Sequence, residues 1–301
     1  DKYYVALGQL YSRDRDENDW DDVSHPSGYR DGHTLDIVSV DGTIYVAFFD
    51  TQSTKSELFE LNSFGSSVWK PGKEISKLIA IDNDGPGANA INEELFAVTV
   101  DSDKEGYNLV YAPASIGESS PTPNTVLSGV PRVIDGTFHP GAGITTYLFV
   151  TKGQLYRGSP ADAASGSFTA VDGPFSNYGG TTFVEDAFGS GQHWLVVTST
   201  KGDIAYTTDP SATPITWTTE PNDDDRRYTD IAYLDGFPGF TGLVVGLDTR
   251  ETSSGGYYEV NDALGTSGPD GDNYRAADIS DASIHGFYVD SANETLFALT
   301  N

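Results

Sequence analysis

The sequence predicts an all-β chain assembled from repeated four-stranded antiparallel units. Three observations carry that expectation. The aromatic content is high in Tyr (17) and Phe (15), residues that favour half-buried strands. Gly (33) and Pro (15) are spread along the whole chain, as a fold dense in turns requires. Finally, an alternating apolar strand closed by an Asp or Gly turn recurs six times at a spacing of roughly 50 residues.

The first strand of each unit is read in His33–Asp41, Lys77–Asp84, Arg132–His139, Thr181–Asp186, Tyr228–Asp235 and Ser283–Asp290. A more hydrophobic second strand follows each: Thr43–Phe49, Glu94–Val100, Thr145–Thr151, His193–Ser199, Gly242–Leu247 and Thr295–Thr300. An amphipathic third strand appears at Glu57–Leu61, Gly153–Arg157, Gly202–Tyr206 and Gly256–Val260. A weaker fourth carries an aromatic residue at Val68-Trp69, Phe168–Val171 or Thr216-Trp217. Four short strands per repeat is the pattern of a β-propeller blade, not of a Greek-key sandwich. The expected fold is therefore a six-bladed β-propeller of four-stranded antiparallel blades, one domain over residues 1–301.

The chain ends bear on how such a ring closes. Tyr3–Tyr11 matches Tyr147–Tyr156, in the middle of the third unit. The N-terminal strands are thus expected to complete the last blade and close the ring, which hides strand edges. Because Tyr3–Leu7 and Thr295–Leu299 both read as second strands, seven blades is the alternative.

Charge narrows the partners. Lys and Arg number 17 against 45 Asp and Glu, a formal net charge of −28. Nucleic acids and anionic membrane surfaces need clustered basic residues, so neither is an expected partner. Acidity of this degree keeps a β-rich surface soluble, with halophily and Ca²⁺ binding as the other readings. The absence of Cys excludes disulfides and thiolate chemistry. No apolar run reaches the ~20 residues that span a bilayer. The chain also has no Met. Together with Asp1 at the start, this leads to the expectation of a processed extracellular or periplasmic protein, surface-anchored or secreted.

Three turns add a resemblance. Thr207–Trp217 looks like a lengthened form of Ser-x-Asp-x-Gly-x-Thr-Trp, Ser12–Trp20 is similar, and Asn62–Trp69 is a looser echo. The chain thereby resembles the Asp-box (BNR, sialidase-like) propellers of secreted and surface proteins. That resemblance implies a structural box, in which the Asp caps its own turn and the Trp packs between strands. It does not extend to the sialidase catalytic set. Of nine arginines only Arg132 and Arg227 lead into first strands, and the Arg-Ile-Pro signature is absent.

First strands line the channel of a propeller, and aligning them by pattern puts Asp36, Ile79, Asp135, Thr181, Asp230 and His285 in one column. Asp36, Asp135, Asp230 and His285, with Arg132 and Arg227, are the candidate ligand-binding residues of a channel mouth, set against the plainer reading of wet, polar channel positions. Asp14, Asp16 and Asn18 have the opening spacing of a calcium loop, without the Gly and Glu that complete one; a solvated turn and a Ca²⁺ site are the two readings. Tyr178, Phe237, Phe240 and Tyr274 are candidates to stack on sugar faces or to pack between loops. The expected function is a binding module that recognises a glycan or a protein partner through loops at one face. The alternatives are a glycoside hydrolase or lyase using channel-mouth carboxylates, and a structural subunit of an extracellular assembly.

Overall fold

Segments such as Thr146–Thr151 and Trp194–Ser199 are apolar on both faces, and in the computed structural model every one of their residues is buried. A strand buried on both faces reads as a continuous hydrophobic run, because alternate side chains serve two different neighbouring sheets. The structure describes residues 2–6, 8–14, 17, 19–23, 26, 32–40, 42–61, 67–82, 93–100, 106–112, 123–140, 145–185, 187, 191–220, 227–237, 240–248, 257–260, 274–275, 283–290 and 295–300.

Residues Asp1–Arg132 with Ala161–Phe168 form one compact unit, and Val133–Pro160 with Thr169–Asn301 a second. The first unit opens with β1 (Lys2–Ala6), β2 (Leu10–Asp14) and β3 (Asp21–Asp22), a three-stranded meander. A second sheet holds β4 (Gly32–Val40), β5 (Thr43–Asp50) and β6 (Lys55–Glu60), and Trp69 bridges to Leu58 at the place of a fourth strand. The third runs in order from β7 (Glu74–Asp82) through β8 (Glu93–Val100) and β9 (Tyr107–Ala112) to β10 (Asn124–Val130). Ile75, Leu78, Leu95 and Ala97 of the third sheet pack on Val40, Tyr45, Ala47 and Leu58 of the second.

The second unit repeats the meander. Its sheets are β11 (Val133–His139), β12 (Thr146–Thr151), β13 (Leu155–Gly158) and β14 (Thr169–Val171); then β15 (Tyr178–Val184), β16 (Trp194–Ser199), β17 (Ile204–Thr207) and β18 (Thr218–Glu220). They continue with β19 (Tyr228–Phe237), β20 (Phe240–Leu247), β21 (Tyr257–Val260) and β22 (Tyr274–Arg275), and end with the pair β23 (Ile284–Asp290) and β24 (Thr295–Thr300). On β16, Leu195 and Val197 pack with Leu148 and Val150 of β12, while Trp194 and Val196 pack with Leu243 and Val245 of β20. That division is what makes the middle strands so apolar.

The short helix α1 (Pro160–Ser165) has no counterpart in the strand pattern, although Ser159-Pro160 followed by Ala-rich sequence is a helix-start signal. Asn124 donates to the carbonyls of Ala163 and Ala164, and Phe168 sits 6.2 Å from Phe96, within the first unit. The fourth strand read at Thr216-Trp217 begins two residues later, at Thr218.

Candidate functional site

Six inner strands share one irregularity. In each, the ladder to the second strand skips a residue: between Thr34 and Asp36, Ile75 and Lys77, Val133 and Asp135, Tyr178 and Gly180, Tyr228 and Asp230, and Ile284 and Gly286. The residue before each bulge is buried: Thr34, Ile75, Val133, Tyr178, Tyr228 and Ile284. A bulge of this kind re-aims the side chains that follow it. The column defined by register is therefore Asp36, Lys77, Asp135, Gly180, Asp230 and Gly286. The sequence alignment placed its three aspartates in that column and missed the other members by one or two positions. His285 is the extra residue of its bulge and is exposed.

Two of these aspartates bond to the neighbouring inner strand. Asp36 Oδ2 accepts from the Leu78 amide at 2.7 Å, while its Oδ1 accepts from Ile37 at 2.9 Å. Asp230 Oδ2 accepts from the Phe287 amide at 2.7 Å. Leu78 and Phe287 each lie one residue past the bulge column of the next strand, so the two bonds are the same feature repeated in the two units. Loss of water around the half-buried Asp36 carboxyl pushes its pKa above the usual value, against the opposing pull of the Leu78 amide, Lys77 and the Ile37 amide. Beside Asp230 the backbones come unusually close. A Cβ on Gly179 would lie 2.4 Å from the Tyr228 carbonyl oxygen, and one on Gly180 would lie 3.0 Å from Asp230 Oδ1.

Arg132 is exposed and Arg227 half-buried; each directly precedes the buried residue that opens its ladder. Asp14 is exposed at the end of β2 and pairs with Lys2 at 3.6 Å, while Asp16 and Asn18 lie outside the described residues. Next to it, Arg13 lies over the rings of Tyr3 (5.5 Å) and Trp20 (5.0 Å). Among the described residues no three His, Cys, Asp or Glu side chains gather to hold a metal ion.

The aromatic candidates divide. Tyr178 is a core residue, 1% exposed; its hydroxyl accepts from the Phe175 amide, and burial pushes its pKa up to about 12. It is not available to a sugar. Phe237 and Phe240 are partly buried against Ala232, Leu234 and Val244, and nothing is described of the Tyr274 side chain.

The turn that resembles an Asp-box, between β17 and β18 of the second unit, borders a groove that its motif does not announce. A groove of about 320 Å³ is lined by Gln192, Tyr206, Thr207, Asp209, Thr216 and Thr218, among others. Its wall is tied by several hydrogen bonds. Asp209 Oδ1 accepts from the Ser211 amide (3.1 Å) and hydroxyl (2.5 Å), and the Asp209 amide donates to Thr207 Oγ1 (3.2 Å). From β13, Arg157 donates to the carbonyls of Pro210 (2.9 Å) and Ala212 (2.7 Å) and to Thr213 Oγ1 (3.1 Å). Trp194 stacks on Tyr206 with ring centroids 4.0 Å apart.

The electrostatics of this turn follow from the same bonds. The Ser211 hydroxyl, above all, holds the exposed Asp209 carboxyl below its ordinary pKa. His139, the buried last residue of β11, has its pKa lowered by burial. Its Nε2 lies 3.3 Å from the His193 carbonyl oxygen, which can only accept, so Nε2 carries the proton. His139, His193 and Phe183 form a ring cluster with centroids 5.7–6.4 Å apart.

No protein family's profile matches the chain, and no curated protein does. Solved structures do. BBS1N in complex with ARL6DN is similar with a TM-score of 0.59 and 12% identity, over 99% of this chain and 83% of that one. YCF48 bound to D1 peptide is similar with a TM-score of 0.60 and 12% identity, over 99% of this chain and 85% of that one. Both are β-propeller proteins. At this identity the likeness shows the fold alone: the chain has a β-propeller fold.

Proposed function

We propose that this chain is a protein-binding β-propeller that recognises its partner through loops at one face. The observation that carries this reading is the likeness, over 99% of the chain, to two propellers solved with a protein or a peptide bound. Loops set on a rigid scaffold are where such folds hold their partners. The glycosidase alternative has less support, since carboxylate oxygens of Asp36 and Asp230 accept from main-chain amides of the next strand.

The sheets are proposed to make one domain over residues 1–301 and a six-bladed ring closed by the N-terminal strands; seven blades is the alternative, because Tyr3–Leu7 and Thr295–Leu299 both read as second strands. The Asp-box kinship is supported by Asp209 capping its own turn and by Trp217 packing with Leu148, Leu155 and Leu195. A secreted or surface location rests on that kinship and on the acidity.

The test is a parallel screen of the purified chain against a displayed library of random peptides and a glycan array. Selective peptide enrichment, competed by the free peptide, is the expected result. Glycan hits with no enriched peptide would replace this reading with the lectin one.

A further inference from the structure

The β17–β18 groove combines four properties that point to one kind of occupant. At about 320 Å³ it is at the small end of ligand sites, suited to a side chain and its flanking backbone. Its lining is polar, with the exposed Thr216 and Thr218 beside Thr207 and Gln192. One carboxylate, Asp209, is exposed beside it, and the Ser211 bonds both end on Oδ1. A carboxylate offers about four acceptor positions, so the turn leaves acceptor capacity on this group. The fourth property is Tyr206, whose ring lines the groove and is braced by Trp194.

The neighbouring cationic groups do not take up that capacity. Arg157 directs its three bonds at two carbonyls and the Thr213 hydroxyl. His139 has its pKa lowered by burial, and its Nε2 is directed at the His193 carbonyl. The chain's net charge of −28 draws basic partners toward every face, but it does not select a place. A planar cation with several donors is what an acidic carboxylate, two exposed threonine hydroxyls and an aromatic ring jointly complement, and an ammonium point charge uses fewer of them.

We propose that this groove takes an arginine side chain from an extended partner peptide. The guanidinium pairs with Asp209, its remaining donors meet the threonine hydroxyls, and its plane lies against Tyr206. This assignment rests on the protein-binding reading and names the partner chemistry that one face would select.

The probe is the peptide acetyl-Ala-Gly-Arg-Gly-Ala-amide, with lysine and citrulline versions as controls, titrated into the whole chain and followed by NMR of backbone amides and threonine methyls. The expected result is saturable shifts at Thr207, Thr208, Asp209, Thr216 and Thr218, weaker for lysine and lost for citrulline. Asp209→Asn is expected to weaken binding about tenfold, the loss of one charge-assisted bond. An Asx turn accepts Asn as well as Asp, so the variant's melting temperature serves as the folding control. Asp172→Asn, at another exposed aspartate, is expected to leave affinity unchanged.

Equal weakening by both substitutions, or shifts spread over other acidic surfaces, overturns the groove as a site. Enriched peptides from the display screen that bind without arginine and leave these signals unmoved overturn it while the protein-binding reading survives. An empty peptide screen beside a saturable arginine titration does the reverse.

Discussion

Asp36 and Asp209 are the same residue type in one very acidic chain, and the fold uses them in opposite ways. Asp36 lies within an inner strand, loses water, and has its pKa raised even though two amides donate to it. Asp209 lies on a turn, keeps its water, and has its pKa lowered by the Ser211 hydroxyl. The first carboxylate joins neighbouring strands and has little left for a ligand. The second shapes its own turn and still presents charge to a groove. An abundance of aspartate therefore says little about function until each one's hydrogen-bond partners are known.

The largest expected effect tests how tightly the inner strands lie where the Asp230 latch sits. Gly179→Val should cost on the order of 3 kcal/mol in denaturant unfolding, because its side chain meets the Tyr228 carbonyl and the Thr198 hydroxyl. A change within ~0.5 kcal/mol would show that the two strands separate freely.

Asp36→Ala comes next. It leaves the Leu78 and Ile37 amides without their acceptor, and a loss of about 2–3 kcal/mol is expected by the same measurement. Asp135→Ala, at the equivalent position of β11, should rank with it if that aspartate also joins two strands. An unchanged midpoint for Asp36→Ala would show that its bonds to Leu78 and Ile37 do not hold the two strands together.

Acidity adds a signed test of the same contrast. The folded pKa of Asp36 lies above its unfolded 3.8, so its contribution is fully present below 3.8 and declines as pH rises through the folded value. The stability of wild type relative to Asp36→Asn should therefore fall across that window. Asp209, with its pKa below 3.8, has the opposite sign: its contribution is present above 3.8 and is lost as pH falls through the folded value. Matched unfolding curves for the two Asn variants would separate the signs; parallel curves would refute the contrast.

The smaller effects belong to the turn. Arg157→Gln should destabilise by about 1–2 kcal/mol through its lost carbonyl bonds and loosen the groove wall. Asp209→Asn should stay within ~0.5 kcal/mol in stability at neutral pH, its larger consequence showing in binding.

Much of the fold was legible because strand chemistry is local. The segments from His193 to Ser199 and from Thr295 to Thr300 gave second strands at nearly their observed bounds, since a run apolar on both faces has few other uses. The Tyr3–Tyr11 match to the third unit anticipated the β1–β2 hairpin. The site was less legible. Tyr178, read as a loop aromatic, begins β15 and fills the core, because strand onset depends on the partner strand as much as on composition. The groove was hidden because Gln192 and Thr216 come from separate loops.

The sequence alone determined the repeat, the all-β class and the identity of the middle strands, each set by hydrophobic alternation over a few residues. Tertiary structure decided what the aspartates do. One bulged residue shifts every side chain after it, and neither pattern nor propensity marks where the ladder will skip. The amides that Asp36 and Asp230 accept from lie 42 and 57 residues away along the chain. Only the packing of neighbouring inner strands brings a carboxylate and a distant amide within hydrogen-bond reach.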